Sequence, residues 1–146
     1  MQDRLKDEMK QAMRNREKPR LGVIRLIMSA IKQRQVDERI VLDDEQVIVV
    51  LDKMLKQRRE SIRQYRDAGR NELAEVEEAE ILVIQDFLPQ PLSADEINDK
   101  VQAAIAECSA SSIKDMGKVM GILKPAMQGR ADMSIVSVKI KELLGV

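Results

Sequence analysis

A chain of 146 residues is long enough for one medium domain or two small helical ones. Its 25 basic and 25 acidic side chains cancel, it has no histidine, and Cys108 is its only cysteine. This composition excludes an intramolecular disulfide and a thiolate zinc cluster, and it removes the usual general base, so we expect no metal and no cofactor. One unpaired thiol, with no leader-like or membrane-spanning apolar stretch, predicts a cytoplasmic protein without a membrane partner.

Apolar residues recur with helical spacing through the first 88 residues. The pattern predicts a helix before "EKPR" and a second helix that begins near Pro19. It also predicts a third helix that is capped at Asp43 or Asp44, with Gln46 able to reach back and complete a capping box. The connector "RIVL" is apolar enough to pack on the core. A tight turn at Gly69 joins the third helix to a fourth, which begins at Asn71 and has Leu73, Val76, Ile84 and Phe87 as its apolar side chains, so an antiparallel hairpin is expected.

The segment "LPQPLS" (88–93) marks a boundary, because its two prolines hold the chain extended. After it, Ser93 with Glu96 and Ser112 with Asp115 form capping boxes that predict two helix starts. The second of these helices ends at Gly129, and Asp132 caps a last helix with Ile135, Val138 and Leu143 or Leu144 facing inward. We therefore predict an all-α protein of two domains. These are an N-terminal helical hairpin or bundle over residues 1–88 and a small three-helix tail domain over residues 93–146.

Charge is unevenly distributed along the chain. Residues 1–70 carry 18 Lys and Arg against 12 Asp and Glu, and the acidic stretch "NELAEVEEAE" (71–80) follows directly. Two interpretations remain open: the two helices of the hairpin neutralise each other, or the basic helix binds phosphates. In the second case the contacts would come from three arginines on nearly one helical face, Arg59, Arg63 and Arg66.

The helix in "KDMGKVMGILKPAMQGR" (114–130) contains two glycines, each of which costs about 1 kcal/mol relative to alanine. Helical geometry places Gly117 and Gly121 beside the Met and Leu stripe of the core, on a face shared with Lys114, Lys124 and Gln128. Lys118 lies at the edge of this face. Two interpretations remain open here too: a neighbouring helix packs on the glycines, or a polyanion lies along them. In the second case, phosphate contacts would come from Lys114, Lys118, Lys124 and Arg130. Gly129 and Arg130 lie at the end of the helix.

The same stretch resembles the tail domain shared by the YqeY family and the B subunit of the tRNA-dependent amidotransferase. The shared residues are Met120-Gly121, Lys124, Gly129-Arg130-Ala131-Asp132 and Val136. The segments "RLGVIRLIMSAIKQRQVDER", "VLDKMLKQRRESIRQYRDAGR" and "FLPQPLS" also resemble the YqeY family, so the likeness covers nearly the whole chain. It implies a two-domain all-α protein whose tail is similar to an RNA-contacting module. In the amidotransferase the active sites lie outside this tail, so the resemblance implies no catalytic residue here.

Our first hypothesis is a non-catalytic accessory protein that binds tRNA or another structured RNA through its tail domain. The second is a helical protein-interaction module with no RNA role, in which the glycine face receives a partner helix. A third hypothesis is an ATP- or glutamine-dependent enzyme, but the chain lacks the residues that such an enzyme needs. A phosphate-binding loop would follow a strand, whereas "GKV" lies within a predicted helix.

Overall fold

A computed structural model describes residues 1–145, and among them it contains seven α-helices, a single 3₁₀ turn (Ile113–Asp115) and no β-strand. The all-α prediction is therefore confirmed. The α-helices are α1 (Gln2–Arg14), α2 (Lys18–Glu38), α3 (Asp44–Asp67), α4 (Asn71–Gln85), α5 (Ala94–Glu107), α6 (Met116–Met127) and α7 (Met133–Leu143).

Contacts divide the chain into two compact units, Met1–Pro89 and the residues from Gln90 onward. We refer to them as the N-terminal and C-terminal units. That residues 1–88 and 93–146 are domains, each able to fold on its own, stays a prediction.

The N-terminal unit encloses a mainly aliphatic core between its four helices. The start of α3 is fixed by a complete capping box: the Asp43 carboxylate accepts the Gln46 N–H at 2.8 Å, and the Gln46 side chain accepts the Asp43 N–H at 2.9 Å. At the other end, Gly69 has φ +73°, which allows the turn into α4. The core side chains include Leu5, Ile24, Ile27, Ile31, Val47, Leu51, Leu55, Ile84 and Phe87.

The C-terminal unit packs α5, α6 and α7 against one another around a smaller core. The predicted cap at Ser93 is present, since its hydroxyl accepts the Glu96 N–H at 3.1 Å. Asp132 also caps α7 as predicted, through the Ser134 N–H at 3.0 Å. The buried residues of this core are Leu92, Val101, Ala104, Val119, Leu123, Met127, Val136 and Ile140.

Two local predictions about burial hold only in part. In the connector "RIVL", Leu42 alone is buried, and the Val41 side chain is almost fully exposed. In α7 the core residues are Val136 and Ile140, and Leu144 packs partly against that core as predicted, whereas Ile135 and Val138 are exposed. Each of these segments carries apolar residues on more than one side, so the position of the packing neighbours decides which of them is buried.

Candidate nucleic-acid interface

The side of α6 that carries Gly117 and Gly121 is open to solvent. Val119, Leu123 and Met127 turn the opposite stripe of the helix into the core. Both glycines are exposed, and a Cβ atom added at either would have no neighbour within 4 Å. Among the described residues of the C-terminal unit, no helix therefore packs on this surface, which we call the glycine face.

Lysine ammonium groups flank the glycine face. Lys114 lies in the 3₁₀ turn before α6, while Lys118 and Lys124 lie on α6 itself. The Lys118 Nζ atom is 3.9 Å from Asp115 Oδ1, and the backbone N–H groups of Ser111 and Ser112 lower the pKa of this carboxyl group. Lys114 and Lys124 are exposed and pair with no carboxylate among residues 1–145. These two cations are available to an external anion.

A proline near the end of α6 frees a backbone acceptor on the glycine face. Pro125 has no N–H, so the Gly121 carbonyl cannot accept the usual helical hydrogen bond from residue 125. Because Gly121 is exposed and has no side chain, a donor from outside the helix can approach this carbonyl. Water or a hydroxyl group of a ligand is a suitable donor.

Gly129 and Arg130 follow α6 and have structural roles there. Gly129 is buried with φ +75°, a backbone conformation that glycine adopts most readily. The Arg130 Nε atom donates to the Gln90 carbonyl at 3.1 Å, and the Arg130 carbonyl accepts the Leu92 N–H at 2.8 Å. Arg130 thus ties the loop after α6 to the start of its own unit, and a phosphate contact by this side chain stays a prediction.

The basic residues of the hairpin face acidic partners. Arg66 forms an ion pair with Glu78 across the hairpin, and Arg63 pairs with Glu60 on its own helix. Arg59 is half-buried and also has an interaction within the chain. The structure thus supplies the neutralising contacts of the first interpretation, and phosphate binding by these three arginines stays a prediction.

Sequence reasoning missed a largely enclosed arginine of the hairpin. Arg58 has a side chain only 12% exposed, and its Nε atom lies 3.0 Å from Glu80 Oε2 and 4.0 Å from Glu77 Oε2. Burial raises the pKa of Glu77, repulsion from Glu80 raises it further, and Arg58 opposes both. The spacing of the sequence could have indicated this contact. In an antiparallel hairpin that turns at Gly69, residue 58 on the third helix lies opposite residues 77 to 80 on the fourth.

We expect the same substitution to have opposite effects at two glycines of this unit. Gly121→Ala should raise the free energy of unfolding by about 0.5–1 kcal/mol, since alanine favours the helix and its methyl group meets open space. Gly129→Ala should lower it by about 1–2 kcal/mol, because the side chain must adopt a positive φ. Urea unfolding of the two variants checks this, and a loss of stability at Gly121 would show that the glycine face is covered.

Neither a metal cluster nor a membrane span is apparent in the described part of the chain. Residues 1–145 bring together no group of three or more metal-ligating side chains. None of the helices within that range has both the length and the apolarity needed to cross a membrane.

Curated relatives match most of the chain. A protein named "Altered inheritance of mitochondria protein 41, mitochondrial" from Pyrenophora tritici-repentis is 32% identical over 145 residues, which cover 97% of this chain and 80% of that protein. Proteins with the same name from Lachancea thermotolerans and Vanderwaltozyma polyspora are 30% and 35% identical. Those two matches cover 93% and 67% of this chain, and 76% and 55% of the respective relatives.

These names contradict the expected cytoplasmic location, because relatives that span most of the chain are named as mitochondrial proteins. The expectation rested largely on a single unpaired thiol. Such a thiol indicates a reducing compartment, but it does not distinguish one reducing compartment from another.

The family resemblance seen in the sequence is confirmed by a match to a family model. That model, described as "Yqey-like protein", matches residues 2–144, which is nearly the whole chain. The match spans both units, including the hairpin and the glycine face of α6. This chain therefore belongs to the YqeY family.

Proposed function

We propose that this protein is a non-catalytic accessory protein that binds tRNA or another structured RNA through the glycine face of its C-terminal unit. The observation that carries the proposal is the open surface at Gly117 and Gly121, where an added Cβ atom would meet nothing within 4 Å. A surface without side chains lets a phosphate backbone approach the helix closely.

The charges around the glycine face support an anionic ligand. Lys114 and Lys124 have no acidic partner among the described residues, so binding a phosphate does not require an internal ion pair to break. The Gly121 carbonyl adds an acceptor that suits a ribose 2′-hydroxyl, a group that RNA has and DNA lacks. Two lysine side chains and a backbone hydrogen-bond acceptor thus lie on the glycine face. These groups suit an RNA backbone better than they suit a purely apolar partner helix.

The aromatic residues favour structured RNA over splayed single strands. Binding of single strands relies on bases that stack on exposed aromatic rings. Phe87 is buried in the N-terminal unit and Tyr65 is half-buried, and the chain has no other aromatic residue. Recognition through phosphates and 2′-hydroxyls of a folded RNA requires no such rings.

We expect tRNA binding to weaken steeply with salt and to depend on individual lysines. About four phosphate contacts would give a log–log slope near −3, and Lys114→Ala or Lys124→Ala should each flatten it by nearly one unit. Gly121→Gln should weaken binding without loss of stability, because its side chain fills the glycine face. Filter binding or fluorescence anisotropy over a salt series measures these slopes. Because relatives are named as mitochondrial, both mitochondrial and cytosolic tRNA serve as probes.

The control for these variants is Lys141→Ala, which removes an exposed lysine from α7 in the same unit. It should leave the slope unchanged if the contacts are local to the glycine face. A wild-type protein that binds neither tRNA at low salt would contradict the proposal. In that case the alternative, in which the glycine face receives a helix of a protein partner, would gain support.

A further inference from the structure

Helix α4 of the N-terminal unit has apolar residues on two sides. Ala74 and Ile84 are buried in the unit, whereas Val76 is 57% exposed and Leu82 is 66% exposed. A helix that is apolar on both faces is usually covered on both. The outer side of α4 therefore lacks the partner that its composition predicts.

Helix α2 shows the same feature. Ile24 and Ile27 are buried, while Leu26 is 50% exposed and Val36 is 64% exposed. Contacts join α2 directly to α4 within the unit. The two incompletely covered helices are thus neighbours.

The outer sides of the two helices carry opposite charges. Glu72 and Glu75 are exposed on α4, and Arg25 and Lys32 are exposed on α2. Within residues 1–145, none of these four side chains has an ion-pair or hydrogen-bond partner. Each outer side therefore presents free charges of one sign next to apolar groups.

On both helices the outer residues recur at spacings of three and four, which places them on one face. The basic face of α2 comprises Gly22, Arg25, Leu26, Ser29, Lys32 and Val36. The acidic face of α4 comprises Glu72, Glu75, Val76, Ala79 and Leu82, and it ends at Val83, which packs partly against the core. Each face spans about three to four helical turns and has a small residue near its middle, so two such faces can approach closely.

We propose that a second copy of this chain docks on these faces, with the basic face of α2 in one copy against the acidic face of α4 in the other. Because α2 and α4 are neighbours, one two-fold axis between them creates two such contacts. The interface is then isologous: the same two faces pair twice, and no face is left open to propagate a filament. This inference goes beyond RNA binding and does not depend on it.

Charge complementarity identifies the occupant as a second copy. The face on α4 requires a partner with cations interspersed among apolar groups, and the face on α2 of the same chain provides that arrangement. The formal net charge of the chain is zero, so two copies do not repel each other as whole molecules. The pairing of exposed charges should weaken as salt rises.

Two charge-reversal variants test this pairing. One variant combines Glu72→Lys with Glu75→Lys, which makes both faces basic. The other combines Arg25→Glu with Lys32→Glu, which makes both faces acidic. We expect each variant alone to raise the dimer Kd at least about tenfold, since like charges then oppose each other. An equimolar mixture should recover the dimer, because both contacts in the mixed pair join opposite charges.

Analytical ultracentrifugation of the full chain measures association in each sample, and circular dichroism checks that each variant is helical. If a reversal variant does not fold, Leu82→Gln replaces it, since this single exposed change should also weaken the dimer at least about tenfold. A wild-type protein that remains monomeric at its highest soluble concentration in low salt would overturn the proposal. So would a mixture of the two folded variants that fails to associate, even if the wild type forms a dimer.

Discussion

Phe87→Ala is expected to lower the free energy of unfolding of the N-terminal unit by about 3–5 kcal/mol. The Phe87 side chain is 1% exposed and lies just after α4, in the core shared by the four helices. Its ring also contacts two cations, since the Arg4 and Arg20 Cζ atoms lie 5.1 and 5.6 Å from the ring centroid. Removing the ring therefore leaves a cavity and withdraws the surface on which both guanidinium groups rest.

Thermal and urea unfolding monitored by circular dichroism measure this loss. Val41→Ala is the matched control, because it trims an exposed apolar side chain of the same unit and should change stability by less than about 0.5 kcal/mol. If Phe87→Ala cost no more than this control, the end of α4 would not be part of the core.

Helix starts could be predicted from the sequence because capping is local. The boxes at Asp43 with Gln46 and at Ser93 with Glu96 each involve residues three apart, and both form as expected. The inward face of α7 could not be predicted in this way. That helix has apolar side chains on several sides, and the packing of α5 and α6 selects Val136 and Ile140.

In the candidate site, too, local geometry could be predicted from the sequence and tertiary packing could not. The angular position of Gly117 and Gly121 follows from helical geometry alone. Their openness does not, since it depends on where every other helix lies. The Arg130 guanidinium could not be placed either, because its acceptor, the Gln90 carbonyl, is 40 positions away along the chain.

The second large effect is expected at Arg58, where an alanine substitution should cost about 2 kcal/mol at neutral pH. Arg58 is the cation between the carboxylates of Glu77 and Glu80, all three side chains are mostly buried, and the nearer carboxylate oxygen is 3.0 Å away. Without the guanidinium, two partly buried carboxylates that repel each other lose their shared cation. Arg63→Ala provides the comparison, because Arg63 is largely exposed and its ion pair with Glu60 should contribute little.

The dependence of this loss on pH identifies its cause. In the wild type, burial and the charge of Glu80 raise the pKa of Glu77 above its ordinary value of 4.5, and Arg58 limits the rise. Arg58→Ala should raise that pKa further. A carboxyl group with a raised pKa in the folded state adds stability below its unfolded pKa, and this stability is lost as pH rises through the folded pKa. The cost of Arg58→Ala should therefore be largest at neutral pH and shrink as pH falls toward 4.5. Urea unfolding at several pH values measures it, and an equal loss throughout would mean that Arg58 acts by packing alone.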